Sequence, residues 1–196
     1  MEEKKYELTD ETIEIDGHTL HKIKALKDFE DVEKGELGGF IEKEENLSHE
    51  GNCWVYDNAK VYGNAQVYEE AMVYGKAKVY GDALVKYRAS VYDKAEVYGN
   101  AKVTDYAMVY GNAKVFDKAG VYGVADVFDN AEIYGNAKVF DDAKVFDDAA
   151  VFGNAKLSEY AEVYGDAIVE GNAEISEGEI SGGRIDGSEK DSIEHD

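Results

Sequence analysis

Between Val55 and Glu174 the chain repeats a six-residue unit twenty times with no insertion or deletion. The first position is Val in every unit except two, which carry Ile133 and Leu157, and the fifth is Ala throughout, from Ala59 to Ala173. The second position is mostly Tyr or Phe, and the third and fourth are mostly Gly-Asn, Gly-Asp, Asp-Asn or Asp-Lys. Self-similarity at so short a fixed period is the mark of a solenoid and leaves a chain few other folds.

Within one unit the stretch Ala-x-Val-Tyr alternates with period two. Ala and Val therefore point to one side of a short strand, and x and the ring point to the other. The Gly or Asp that follows tolerates positive φ and turns the chain before the next strand. A strand this short buries too little to stand alone, so it must stack on copies of itself. Proline is absent from the chain, which suits uninterrupted ladders.

The exceptions reveal how many units make a coil. The second position departs from an aromatic residue at Lys86, Thr104 and Ser158, which lie three units apart or a multiple of three, and at Glu170. Tyr87, Tyr106 and Tyr160 appear in the turns of those same three units. One coil therefore takes three units and contributes three strands. The expected architecture is an all-β, triangular, single-stranded parallel β-helix. The frame extends toward the N-terminus through HEGNCW, KEENLS and LGGFIE, placing Cys53, Leu47 and Ile41 at the small-residue position. The expected division is a hairpin cap over 1–36, a solenoid over 37–174, and a C-terminal cap with a flexible acidic tail over 175–196. In the first segment TIEIDGHTLHKIKAL holds two alternating runs around Asp16-Gly17, a hairpin signal. At the other end Ile175, Ile180 and Ile185 are five apart, and the final SEKDSIEHD is polar and expected to be disordered.

The pattern resembles the hexapeptide repeat of left-handed parallel β-helices: an aliphatic residue, a Gly or acidic residue, two variable positions and a small residue. The resemblance covers about 70% of the chain. It implies a left-handed coil, against the general preference of parallel crossovers. The aromatic second position departs from that family, which usually has a small or acidic residue there. The stretch DFEDVEKGELGGFIEKEENLSHEGNCWVYDNA also resembles the opening of uncharacterised bacterial and phage proteins with such repeats, some of them labelled transferases on fold similarity. A phage or mobile-element origin is the corresponding expectation.

Acyltransferases with this repeat generally depend on a histidine near a cleft between subunits, and the trimeric β-helix carbonic anhydrases on three histidines around a metal. The repeat region contains none: His18, His21 and His49 precede it and His195 follows it. No catalytic residue, cofactor or metal site is expected. Asp141-Asp142 and Asp147-Asp148 read as solvated turn residues, and Cys53 as a buried small hydrophobe. A formal net charge of −22 disfavours direct contact with nucleic acid or an anionic membrane. With one cysteine and no apolar N-terminal segment, a cytoplasmic location is expected.

The outward residues carry the functional expectation. One face shows Trp54, Tyr56, Met72, Tyr74, Tyr92, Met108, Tyr110, Phe128, Phe146 and Tyr164, an unbroken aromatic ladder whose N-terminal half adds Trp and two Met. A second face carries Tyr62, Tyr80, Tyr98, Phe116, Tyr134 and Phe152, mostly beside Lys or Glu, and a third is the one interrupted by Lys86, Thr104 and Ser158. Stacked rings stabilise adjacent strands by about 0.2–1 kcal/mol a pair, which accounts for most of the ladders. An apolar stripe as long as the first face is more than a soluble monomer usually exposes. The leading expectation is a non-enzymatic binding or assembly solenoid that uses this face for a protein partner or a homo-oligomer. The alternatives are an acidic mimic of nucleic acid that occupies a DNA-binding protein, and a hexapeptide acyltransferase. Against the mimic, the repeat region mixes twenty acidic with twelve basic residues.

Overall fold

A computed structural model describes residues 4–187. The chain is a parallel β-solenoid whose coils each contribute a two-residue strand to three sheets, of 11, 8 and 7 strands. The only described helix is one 3-10 turn, Glu44–Asn46. Each regular strand pairs with the strands three units before and after it, as where Val91 lies between Val73 and Val109. Backbone bonds run coil to coil: the Ser90 N–H donates to Ala107 O at 3.0 Å and the Tyr92 N–H to Val109 O at 3.0 Å. The first-position aliphatics and fifth-position alanines from Val55 to Ala173 are no more than 2% exposed, so Val and Ala fill the prism. Among the described residues no helix is long and apolar enough to cross a membrane.

Each corner turns on the third residue of its unit, whose φ lies between 50° and 72° in all twenty units. An L residue with a side chain pays about 1–2 kcal/mol there, less for Asp. Ten of the twenty are Gly, seven Asp and two Glu. The acidic residues have their own reason to be there. A carboxylate at this position accepts from the N–H of the equivalent residue one coil on, as Asp57 does from Gly75 at 3.0 Å and Asp117 from Gly135 at 3.2 Å.

The N-terminal hairpin forms from β1 (Tyr6–Ile15) and β2 (His18–Ala25), with Asp16 and Gly17 both at positive φ between them. Antiparallel to β2 runs β3 (Leu37–Ile41), which in turn pairs in parallel with the first regular strand of the largest sheet. The hairpin thus continues one face of the prism and covers its edge.

Both ends depart from the regular register, the C-terminal end as the five-residue spacing of its isoleucines predicts. Ile41 pairs with Val61 and Leu47 bridges Val67, so this coil is two residues longer than a regular one. Ile41 and Leu47 therefore stand at the aliphatic position, not at the small-residue position the extended frame assigned them. The two extra residues lie between Leu47 and Trp54, and Cys53 keeps its expected place. Gly39 is the residue beside Ala59, where a Cβ would come within 2.7 Å of Ala59 O and Val55 Cγ1. Asn46 closes this irregular coil, its Nδ2 donating to Gly63 O at 3.1 Å and Ala65 O at 2.8 Å. At the other end Ile175, Ile180 and Ile185 pair with Leu157, Val163 and Val169, the first in regular register and each later pair closer in sequence by one residue. Winding thus continues past 174 with one residue fewer in each of the last corners. SEKDSIEHD, His195 included, lies outside the described residues.

Candidate functional site

The first face is the eight-stranded sheet. From Tyr74 through Tyr92, Tyr110, Phe128 and Phe146 to Tyr164 its rings stack with centroids 4.6–4.9 Å apart and planes within 5°. Strand spacing sets that distance, and it exceeds the thickness of a ring, so each ring slides into an offset stack. Met72 and Met108 flank a buried Ser90 and are 38% and 36% exposed. Beyond them the row becomes charged: Lys144 pairs with Glu162 at 2.8 Å. Asp126 Oδ1 is buried with no hydrogen-bond partner among the described residues, and burial raises its carboxyl above the usual range, opposed by Lys144. Tyr92 is pushed up to about 12 by burial and by its ring neighbours Tyr74 and Tyr110.

Two residues assigned to this face behave otherwise. Trp54 points outward by strand parity yet is fully buried, because Tyr6 and Phe29 of the N-terminal segment pack edge-on against it at 6.0 and 5.3 Å. It belongs to the core under the cap and not to an exposed stripe. Tyr56 is half-covered by the same segment, and its hydroxyl donates to Asp31 Oδ1 at 2.8 Å. The exposed part of the face therefore starts at Met72 and Tyr74.

The second face repeats the ring stack from Tyr62 to Phe152 but sets ion pairs beside it. Lys78 meets Glu96 at 2.8 Å and Lys114 meets Glu132 at 2.9 Å. Its first ring, Tyr62, is buried against the hairpin, with Asp16 accepting from its hydroxyl at 3.1 Å and His18 tilted over it at 5.2 Å. His18 also contacts Glu42 at 2.9 Å, while His21 bonds the Thr9 carbonyl at 3.1 Å, so the two histidines have separate partners.

The variant residues split between the third face and the corner after it. Lys86, Thr104 and Ser158 lie on the face, and Thr104 is buried with its hydroxyl on Asp105 at 2.8 Å. Tyr87, Tyr106 and Tyr160 lie on the corner, 44%, 56% and 72% exposed. Val124 joins them on the same edge at 46%. Sequence reasoning missed Val124, although it stands in the fourth position of its unit between Tyr106 and Tyr160. The other two corners hold Asn, Asp or Lys at that position, and Asn pairs there bond coil to coil, Asn112 to Asn130 and Asn136 to Asn154, each at 3.1 Å. Tyr87 is the one aromatic residue at a positive-φ corner position, with φ 60°.

A shallow notch of about 450 Å³ opens there, lined by Glu69, Glu70, Tyr87, Arg88, Asp105 and Tyr106. The Tyr87 N–H donates to Glu69 at 3.0 Å, and Arg88 Nε donates to Glu70 at 2.6 Å. Lys86 Nζ sits 4.4 Å from the Tyr87 ring centre, and the Arg88 guanidinium 5.7 Å from that of Tyr106. Each of the two rings thus has a cation within about 6 Å of its centre.

Other candidates are accounted for by structure. The Asp147 carboxylate accepts from Gly165 N–H at 3.2 Å and Asp148 from Asn130 at 3.0 Å, both coil-to-coil bonds. Cys53 is buried beside Lys5, whose Nζ donates to Cys53 O at 2.8 Å and Sγ at 3.3 Å. Burial raises the thiol and lowers the amine.

No protein-family model matches the chain. Over 42 residues, 21% of its length, the chain is 48% identical to "Uncharacterized acetyltransferase YdcK" of Escherichia coli (strain K12). The match spans 13% of that protein. With the parallel coils, the similarity agrees with a hexapeptide-repeat β-helix of the kind that carries transferase labels.

Proposed function

We propose that the protein is a non-catalytic β-solenoid that self-assembles through its first face. One observation carries the reading. From Met72 to Tyr110 the outward residues of that sheet's strands, Met72, Tyr74, Ser90, Tyr92, Met108 and Tyr110, carry no charge on a chain whose net charge is −22. The second face offers the same rings beside Lys–Glu pairs and needs no cover. Met72 and Met108 lie one coil to either side of Ser90. A two-fold axis through that coil would set Met72 of one copy against Met108 of the other and close the interface on itself.

The acetyltransferase name of the matched protein reaches this chain through a short segment and a fold that many functions share. The repeat sets twelve basic residues among its twenty acidic ones, some of them in Lys–Glu pairs between coils, which favours assembly over imitation of a polyanion. The test is solution mass by light scattering against salt. Because the copies repel each other, the dimer fraction should rise as salt screens their charge. Met72→Glu with Met108→Glu should abolish it, since like charges would then face each other across the contact. A wild-type monomer at every salt and concentration overturns the proposal.

A further inference from the structure

We propose that the corner notch between Tyr87 and Tyr106, with the edge running on past Val124 and Asp142 to Tyr160, binds a neutral glycan. The site is separate from the first face and stands or falls independently of it.

Its residues are poorly explained by the fold. Nineteen of the twenty corner positions with positive φ hold Gly, Asp or Glu, each suited to the turn or to bonding the next coil. Tyr87 is suited to neither. Its side chain cannot accept the N–H bond that its acidic counterparts take, and its ring stands in solvent. Tyr106 and Tyr160 likewise occupy the position where the other corners hold Asn, Asp or Lys, with Asn pairs bonded coil to coil. On this edge Glu69, Glu70 and Asp105 still bond the next coil, but Tyr87, Tyr106 and Tyr160 put exposed rings where the other corners place residues that do so.

The surroundings select the ligand. Each ring at the notch has a carboxylate and a cation beside it: Glu69 and Lys86 at Tyr87, Asp105 and Arg88 at Tyr106. A protein partner would have to bury those charges to reach the rings, which is costly. A sugar ring presents C–H groups on its face and hydroxyls at its rim, so one pyranose can stack on a tyrosine while its hydroxyls donate to the carboxylates and accept from Arg88. Single-stranded nucleic acid also stacks on rings, and uronate-rich glycans also carry hydroxyls. The net charge of −22 opposes both. From Tyr106 to Tyr160 is three coils, about 14 Å at the usual strand spacing, enough for several linked sugars along the edge.

The experiment is affinity electrophoresis of the full chain in native gels holding laminarin, galactomannan or soluble glycogen, with alginate as the acidic arm. At least one neutral polysaccharide should retard the protein and alginate should not. Tyr87→Gly and Tyr106→Asn restore the residue types the other corners use, so both should melt no lower than wild type. Each should weaken retardation by about tenfold, the loss expected for one stacked ring. Absence of retardation in all three neutral gels overturns the proposal, as does retardation in alginate alone or retardation the two variants leave unchanged. If Tyr87→Gly dissociates a dimer instead, the edge serves self-association and the glycan reading is wrong.

Discussion

The ring ladders can be tested as a source of stability with a double-mutant cycle. On the second face Phe116 stacks on Tyr98 and Tyr134 with centroids 4.9 Å away on both sides, the planes within 7°. Phe116→Leu keeps most of the half-buried apolar surface and removes two stacked pairs, and Tyr134→Leu removes its pairs with Phe116 and Phe152. At about 0.2–1 kcal/mol a pair, each single variant should lose about 0.4–2 kcal/mol. The double variant loses three pairs and not four, because one pair is shared. It should therefore cost one pair, up to about 1 kcal/mol, less than the sum of the singles. Urea unfolding followed by far-UV circular dichroism measures this, with a shift of about 1 M for 2 kcal/mol at an m-value near 2 kcal/mol/M. Phe116→Leu with Phe146→Leu is the control. Those rings stand in different ladders and share no neighbour, so their effects should add. Equal coupling in both pairs, or none in the adjacent pair, would refute stacking as the source.

The chain's single tryptophan reports on the cap. Phe29→Ala removes one of the two aromatic groups that seal Trp54, so its emission should shift to the red in native buffer while the far-UV spectrum is unchanged; an unshifted emission would mean the hairpin does not seal it. Asp126 gives a pH signature. Burial raises its folded-state value above the unfolded one, so the folded form holds the proton more tightly. Its contribution is whole below the ordinary carboxylate range and is lost as pH rises through the folded value. Asp126→Asn should thus be more stable than wild type at neutral pH, with the gain fading in acid; a gain that persists at low pH would refute the assignment.

The coils were legible because every position of the unit answers to one physical demand. Val and Ala fill the prism, the ring stacks on its equivalents in the neighbouring coils, and the third residue takes positive φ. The superperiod came from the places where the pattern fails, at Lys86, Thr104 and Ser158. The first coil was misread for a reason local to the alphabet. Ile41 and Leu47 fit an inward position in either frame, and only pairing with Val61 and Val67 shows which one they take. Trp54 was misread for a non-local reason: strand parity aims it outward, but what covers it comes from Tyr6 and Phe29, far from the repeat.

The same logic separates the surfaces that stabilise the rod from those free to serve something else. Because the regular coils stay in register, each outward position sits above and below its equivalents, so a residue that bonds its own kind is favoured in every coil. Tyr and Phe columns stack, Asn columns pass a hydrogen bond along, and Lys–Glu columns alternate charge. Columns of this sort are explained once the coil is explained. The corner of Tyr87, Arg88, Tyr106, Val124 and Tyr160 is different: its members do not repeat from coil to coil, and one of them occupies a backbone conformation that disfavours it. The Met–Ser–Met row of the first face likewise leaves apolar atoms exposed where ion pairs would serve stability as well. In a fold whose regular columns stabilise themselves, binding is best sought where self-pairing has been given up.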